Sequence, residues 1–214
     1  MATRIFRDDI DKFLEYDIHI PTRTFYMGSC FSYGWEGGDS GVDSAMAERV
    51  VKGLHILDRL PVNGVNPGIT IIMNNPGGNV YHGLAIFDAI QGCENHVTVV
   101  ATGYVMSMGS IIFQAADERL MTPNAKMMIH HGSDGGEGHT KNFIAWADEA
   151  KAIVKWVNDL FLAKMQEKHP DMTYEEVDRM QDFDKYLTAQ GAVDLGLADG
   201  IKYPPNHFFR GNNG

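Results

Sequence analysis

The chain has 214 residues, a formal net charge of −10, 44% apolar residues and 21% charged ones. That allows one domain with a substantial core, and an acidic chain without a basic run argues against binding nucleic acid or an anionic membrane. The two cysteines, Cys30 and Cys93, make no disulfide framework, no apolar run is long enough to span a bilayer, and "MATRIFRDDIDKF" has no apolar core like that of a signal peptide. A cytoplasmic location is expected.

Residues 1–22 are mixed and polar, and a mobile or loosely packed segment is expected there. "RTFYMGSCF" (23–31) reads as a strand and the Gly/Asp/Ser-rich stretch 32–43 as a loop. From Ser44 to Leu60, Ala47, Val50, Val51, Leu54 and Leu57 recur at helical spacing, with Asp43 as N-cap. "ITIIMNN" (69–75) is a β-rich run stopped by Pro76 and two glycines. "VYHGLAIFDAIQGC" is helical, "VTVVATGYV" (97–105) a buried strand and "MGSIIFQAADE" a helix. "RLMTPNAKMMIHH" reads as a strand pair around a Pro-Asn turn. After the Gly-rich 132–140, residues 141–168 form one long amphipathic helix, with Phe143, Ala147, Ala150, Val154, Val157 and Phe161 along one stripe. Such length predicts projection and packing on another subunit. Thr173 and Glu176 form a capping box, and a short helix and a final strand close the domain at about residue 205. Residues 206–214 read as a disordered tail. The alternation predicts an α/β fold with a largely parallel sheet.

The chemistry is expected at joins between elements. Ser107 stands between Met106 and Met108 where a strand turns into a helix. A side chain there can stand clear of the sheet, and the first helical turn leaves its N–H groups unpaired. Those are the needs of a nucleophile whose oxyanion is bound by a neighbouring N–H, here that of Met108. A serine at a helix start is more often a cap, so further stretches decide. In "MNNPGGN" the glycines let the backbone approach a ligand, and Gly77 offers a second donor. In "MMIHHG" adjacent residues of a strand face opposite ways, so one of His130 and His131 faces Ser107. In "DFDKYLTA", Asp182 and Asp184 precede a helix, one to cap it and one to orient a histidine.

These stretches together resemble the ClpP family of self-compartmentalised serine peptidases. "NNPGGN" is similar to the family's Asn-Ser-Pro-Gly-Gly segment, "GYVMSMGS" to its nucleophile segment, "TPNAKMMIHHG" to its histidine segment and "DFDKYLTAQGAVDLGLADGI" to its aspartate segment. The order is kept over residues 44–202. The resemblance implies a ClpP/crotonase-like fold, a ββα superhelix with a protruding handle helix, over residues 23–205. It implies Ser107 as nucleophile, His130 as base, Asp184 as its orienting acid, and Gly77 and Met108 as oxyanion donors. It implies two stacked heptameric rings, unfolded polypeptide as substrate and an AAA+ Clp-type unfoldase as partner, with no cofactor in the cleavage. Some residues depart from the family. Met106 stands where a small residue is usual and His131 where glutamine is common. Thr70 and Ile72 stand where tyrosines commonly help form the ATPase docking pockets.

An extended peptide is expected to add a strand between the Gly132, Ser133, Asp134 side and the Gly78, Asn79, Val80 edge. The alternative there is a plain flexible loop. His130, His131, Asp134, Glu137 and His139 match no zinc spacing, so no metal site is expected. Cys93 has no histidine at a suggestive spacing and is not a candidate nucleophile. Two rival readings stand beside this one, a phage-type capsid-maturation peptidase on the same fold and, from another class, a non-catalytic ring subunit; loss of any of the three triad residues would have favoured the latter.

Overall fold

The computed structural model describes residues 7–28, 41–61, 67–132 and 139–203. The chain opens with α1 (Arg7–Tyr16) and β1 (Ile18–His19), followed by a 3-10 turn over Ile20–Thr22. The sequence pattern predicts no helix there, and no side chain between Asp8 and Thr22 is buried. Phe13 packs edge-on against His19 with ring centres 6.0 Å apart. Asp17 accepts hydrogen bonds from Arg49 through its carboxylate and from the Tyr26 N–H through its carbonyl. Polar composition hid a helix held by a few tertiary contacts.

Next come β2 (Thr24–Gly28), α2 (Ser44–Arg59), β3 (Ile69–Asn75), α3 (Val80–Gln91) and β4 (Val97–Met106). Asp43 caps α2 as expected, its Oδ1 accepting the Met46 N–H at 2.8 Å. In β3 alternate residues are buried from Ile69 to Asn75. The strand β4 leads into α4 (Met108–Phe113), after which β5 (Glu118–Met121) and β6 (Lys126–Ile129) follow. The long helix α5 (Thr140–Gln166), α6 (Tyr174–Met180), β7 (Lys185–Thr188), α7 (Ala189–Asp194) and β8 (Gly200–Ile201) complete the described chain.

The sheet runs β1-β2-β3-β4-β5-β8, with β6 on β4 and β7 on β6. All pairings are parallel except β1/β2 and β6/β7. The expected pairing of β5 with β6 is not made. Both instead lie parallel to β4, β5 beside Thr98–Ala101 and β6 beside Tyr104–Met106. An irregularity makes this possible. Between Met73 and Asn75 the register of β3 on β4 shifts from Ala101 to Val105. Gly103 takes φ +64° there, and the Asn74 side chain fills the space a Cβ would need, with Oδ1 2.6 Å from that position. Asn74 Oδ1 also accepts the Tyr104 N–H. A bulge of this kind bends its strand and here delivers the end of β4 to β6.

β7 carries no strand signal in the sequence, since its burial shows no alternation and only Leu187 is buried. The far side of the domain is clasped by Arg119, itself only 3% exposed. Its guanidinium donates to both oxygens of Asp199, to Gln114 Oε1 and to the Gly196 carbonyl.

The long helix starts one residue before and ends two residues before the span that periodicity gave it, but its stripe divides. Val157, Asn158, Phe161 and Met165 are its buried residues, whereas Phe143, Ile144 and Trp156 are exposed. Val157 is therefore core, not free surface. Contact with the domain begins at Ile153, which packs against the core, and at Trp156, whose ring meets Phe87 edge-on at 5.3 Å. The thirteen residues before that, Thr140 to Ala152, include no buried side chain, so about 20 Å of helix stands away from its own core. Among the described residues no helix is long and apolar enough to cross a membrane.

Candidate active site

Ser107 follows β4 directly and precedes α4. Its backbone sits at φ 51°, ψ −127°, a conformation that costs a residue with a Cβ about 1–3 kcal/mol and persists only where neighbours impose it. The neighbours are visible. The Ser107 N–H donates to the Met128 carbonyl on β6 at 2.9 Å. The Ser107 carbonyl accepts from the Ser110 N–H at 2.9 Å and the Ser110 hydroxyl at 2.6 Å. The side chain makes no capping bond. Its hydroxyl is thus turned away from the helix and left for another group.

That group is His130, one residue beyond β6. Ser107 Oγ lies 2.8 Å from His130 Nε2, and His130 Nδ1 lies 3.1 Å from Asp184 Oδ1. A carboxylate only accepts, so the Nδ1 proton is shared with Asp184. Nε2 then presents its lone pair to the Ser107 hydroxyl. Asp184 comes from the residue before β7, whose antiparallel pairing with β6 ends at Ile129↔Lys185. The sheet therefore brings together residues 23 and then 54 positions apart in sequence. His130 is largely covered and Asp184 is half-exposed.

His131 turns the other way. Its N–H donates to the Gln181 carbonyl at 3.2 Å, and its Nε2 lies 3.1 Å from Asp178 Oδ1, off the hydrogen-bond line. Gln181 in turn donates through its buried amide to Asn158 Oδ1 on α5, and Asn158 Nδ2 donates to Asp178 and to Tyr174. The two ends of the link that carries Asp184 are thus fixed by β7 and by this buried amide pair. Nothing in the sequence singled out Asn158 or Gln181, since a polar residue inside a helix stripe looks like a break in the pattern.

The Pro-Gly-Gly turn presses on Ser107. A Cβ on Gly77 would stand 2.6 Å from Ser107 Cβ, 2.8 Å from the Met106 carbonyl oxygen and 3.0 Å from the Met108 nitrogen. Gly77 also takes φ +101°, so glycine is required twice over. Its N–H is not available as an oxyanion donor, however. It donates to Asn75 Oδ1 at 2.8 Å, which corrects the sequence expectation. Among the described residues the N–H groups of Gly78 and Met108 have no partner. The expected peptide-binding edge is also shorter than Gly78–Val80. Asn79 donates its N–H to the Val42 carbonyl and Val80 opens α3. Gly132 is open, with no atom within 4 Å of a Cβ placed on it. Ser133 and Asp134 lie outside the described residues, as does Cys30. Burial pushes the Cys93 thiol up to about 11, helped by the charges of Asp58 and Asp117, so it is poorly suited to attack as a thiolate.

A family model described as Clp protease matches residues 39–204. The chain belongs to the Clp protease family. This Clp protease chain is 34% identical over 164 residues to an ATP-dependent Clp protease proteolytic subunit of Deinococcus radiodurans, covering 75% of this chain and 76% of that one. Its fold is similar to a solved structure of a ClpP1 point mutant from Listeria monocytogenes. The TM-score is 0.70 at 28% identity, over 87% of this chain and 94% of the other. The α/β fold is therefore the crotonase-like one, and family membership makes this Clp protease chain a peptidase.

Proposed function

We propose that the chain is a serine endopeptidase acting through Ser107, His130 and Asp184. The observation that carries the reading is the unbroken contact series from Ser107 Oγ through both ring nitrogens of His130 to Asp184. Ser107 attacks the peptide carbonyl while Nε2 of His130 takes its proton. Asp184 holds the ring in the tautomer that allows this and stabilises the imidazolium. The tetrahedral oxyanion is held by the N–H groups of Met108 and Gly78, each worth about 10²–10³ in rate. His130 then gives its proton to the departing amine, and water releases the acyl group by the same steps reversed. An extended substrate lies along the Gly78 and Gly132 sides.

The substrate class we infer is unfolded polypeptide, cut inside a chamber of two stacked heptameric rings in the cytoplasm. The uncovered half of α5 supports assembly, since the exposed apolar side chains of Phe143 and Ile144 need a cover. Phe183, beside Asp184, is 86% exposed in the isolated chain, a second surface suited to a neighbouring subunit. An AAA+ Clp-type unfoldase would supply the substrate, in keeping with the words "ATP-dependent" and "proteolytic subunit" in the name of the Deinococcus relative.

The test is labelling with a fluorophosphonate, followed by mapping of the modified residue and by peptide cleavage assays on Ser107→Ala. Modification at Ser107 and loss of turnover in a folded Ser107→Ala protein are expected. Wild-type turnover by that variant overturns the reading.

A further inference from the structure

We propose that Asn75 is a positioning residue for the oxyanion site, its carboxamide setting where the Pro76-Gly77-Gly78 turn stands relative to the first turn of α4. The inference rests on the serine-peptidase reading above. Asn75 ends β3 and is 0% exposed. A buried carboxamide must find partners for both its ends, and these partners sit on different elements. Oδ1 accepts the Gly77 N–H at 2.8 Å, an Asx turn from one residue to the second one on. Nδ2 points to Met46 Sδ on α2 at 3.4 Å. On its other side the residue lies against α4: a Cβ on Gly109 would stand 3.0 Å from both the Asn75 carbonyl oxygen and Asn75 Oδ1. The side chain is therefore a spacer between turn and helix.

Its hydrogen bond also decides which N–H the turn presents. By taking the Gly77 N–H, Asn75 turns that donor out of the pocket and leaves the next one, on Gly78, without a partner. The same bond holds Gly77 hard against Ser107. Without an acceptor at position 75, the Gly77 N–H is buried and unpaired. The turn must then move to satisfy it, and the Gly78 donor moves with it. Asn75 touches neither substrate nor the reacting atoms; it acts through the backbone of the turn.

The experiment compares Asn75→Leu, which keeps the bulk and removes the acceptor, with Asn75→Ser, whose hydroxyl can accept an N–H two residues on in the same kind of turn. Steady-state peptide cleavage and the rate of fluorophosphonate labelling are measured on assembled protein. Asn75→Leu is expected to lose about 10- to 100-fold in kcat, with KM within about twofold of wild type, as for an interaction made only in the transition state. Labelling should slow by the same factor, because the phosphoryl oxygen occupies the same hole. Asn75→Ser should recover most of both rates. The proposal is overturned if Asn75→Leu turns over like wild type, or if Asn75→Ser is as impaired as Asn75→Leu. If Asn75→Leu does not fold, Asn75→Ala against Asn75→Ser makes the same comparison. Failure of the wild-type protein to label at Ser107 would overturn the serine reading itself; normal labelling of both wild type and Asn75→Leu would overturn only the role of Asn75.

Discussion

Replacing Gly77 by alanine adds one methyl group at the most crowded point of the site. That carbon would stand 2.6 Å from Ser107 Cβ, where carbons normally approach to about 3.5–4.0 Å. Turn and nucleophile must separate by about 1 Å, and a misplacement of that size costs roughly 10²-fold in rate. Two further costs fall on stability. A side chain at φ +101° costs about 1–2 kcal/mol, and overpacking about 1–3 kcal/mol. A total near 3 kcal/mol lowers the midpoint of a chain of this size by about 6–12 °C. Gly132→Ala separates the two contributions, because Gly132 has φ +82° and, among the described residues, an added Cβ there would meet no atom within 4 Å. It should carry the backbone cost alone and lower the midpoint by about half as much. The measurements are kcat/KM on a fluorogenic peptide and thermal denaturation at one fixed protomer concentration. A folded Gly77→Ala protein with wild-type kcat/KM, or equal midpoints for the two variants, would refute the packing argument.

His130→Gln should lose at least about 10³-fold in kcat, whereas His131→Gln should stay within a few-fold, since its ring is turned to a partly exposed Asp178 and the Ser107 hydroxyl is bonded to His130. Equal loss in peptide assays would mean the two rings share the base's role. Phe143→Glu with Ile144→Glu should shift sedimentation toward small species and reduce cleavage; an intact large assembly would show that the free half of α5 is not the contact. Asp199 is pushed up by burial, but the hydrogen bonds and charge of Arg119 outweigh this and hold it below the usual aspartate range. Its stabilisation is therefore fully present above the unfolded value near ~3.9 and is lost as pH falls through the lower folded value. Asp199→Asn should lower the melting midpoint by about 4–8 °C at pH 7, and the gap should narrow below about pH 4. A gap unchanged down to pH 2 would contradict this.

Ser107 and the His130–His131 pair were legible because their signals are local. A small residue at a strand-to-helix join and a histidine pair at a strand end can be read without knowing what lies across the sheet. Choosing His130 over His131 needed the family resemblance, and so did choosing between Asp182 and Asp184, because β7 is four residues long and mostly exposed, so it has no alternation to read. The Pro-Asn turn suggested a hairpin, but β4, with its bulge at Gly103, offers one edge to both β5 and β6 and outcompetes the local pairing. Helical spacing gave the stripe of α5 correctly and could not say what covers it, so Val157 and Phe143 looked alike in sequence and differ in the fold. The donor at Gly77 failed as an expectation for a similar reason: only the tertiary position of the Asn75 side chain decides which of two successive N–H groups is free.

The order of the three residues along the chain has a consequence during synthesis. Ser107 and His130 emerge near the middle of synthesis, and their strands β4 and β6 can pair as soon as both exist. Asp184 lies 54 residues after His130, which at about 5–20 residues per second is a delay of roughly 3–11 s. The clasp between Arg119 and Asp199 closes later still. A growing chain therefore holds a serine and a histidine without the carboxylate that aims the ring, at a time when unfolded nascent polypeptide is all around it. On the proposed roles, the last part of the site to be translated is the carboxylate that aims the base.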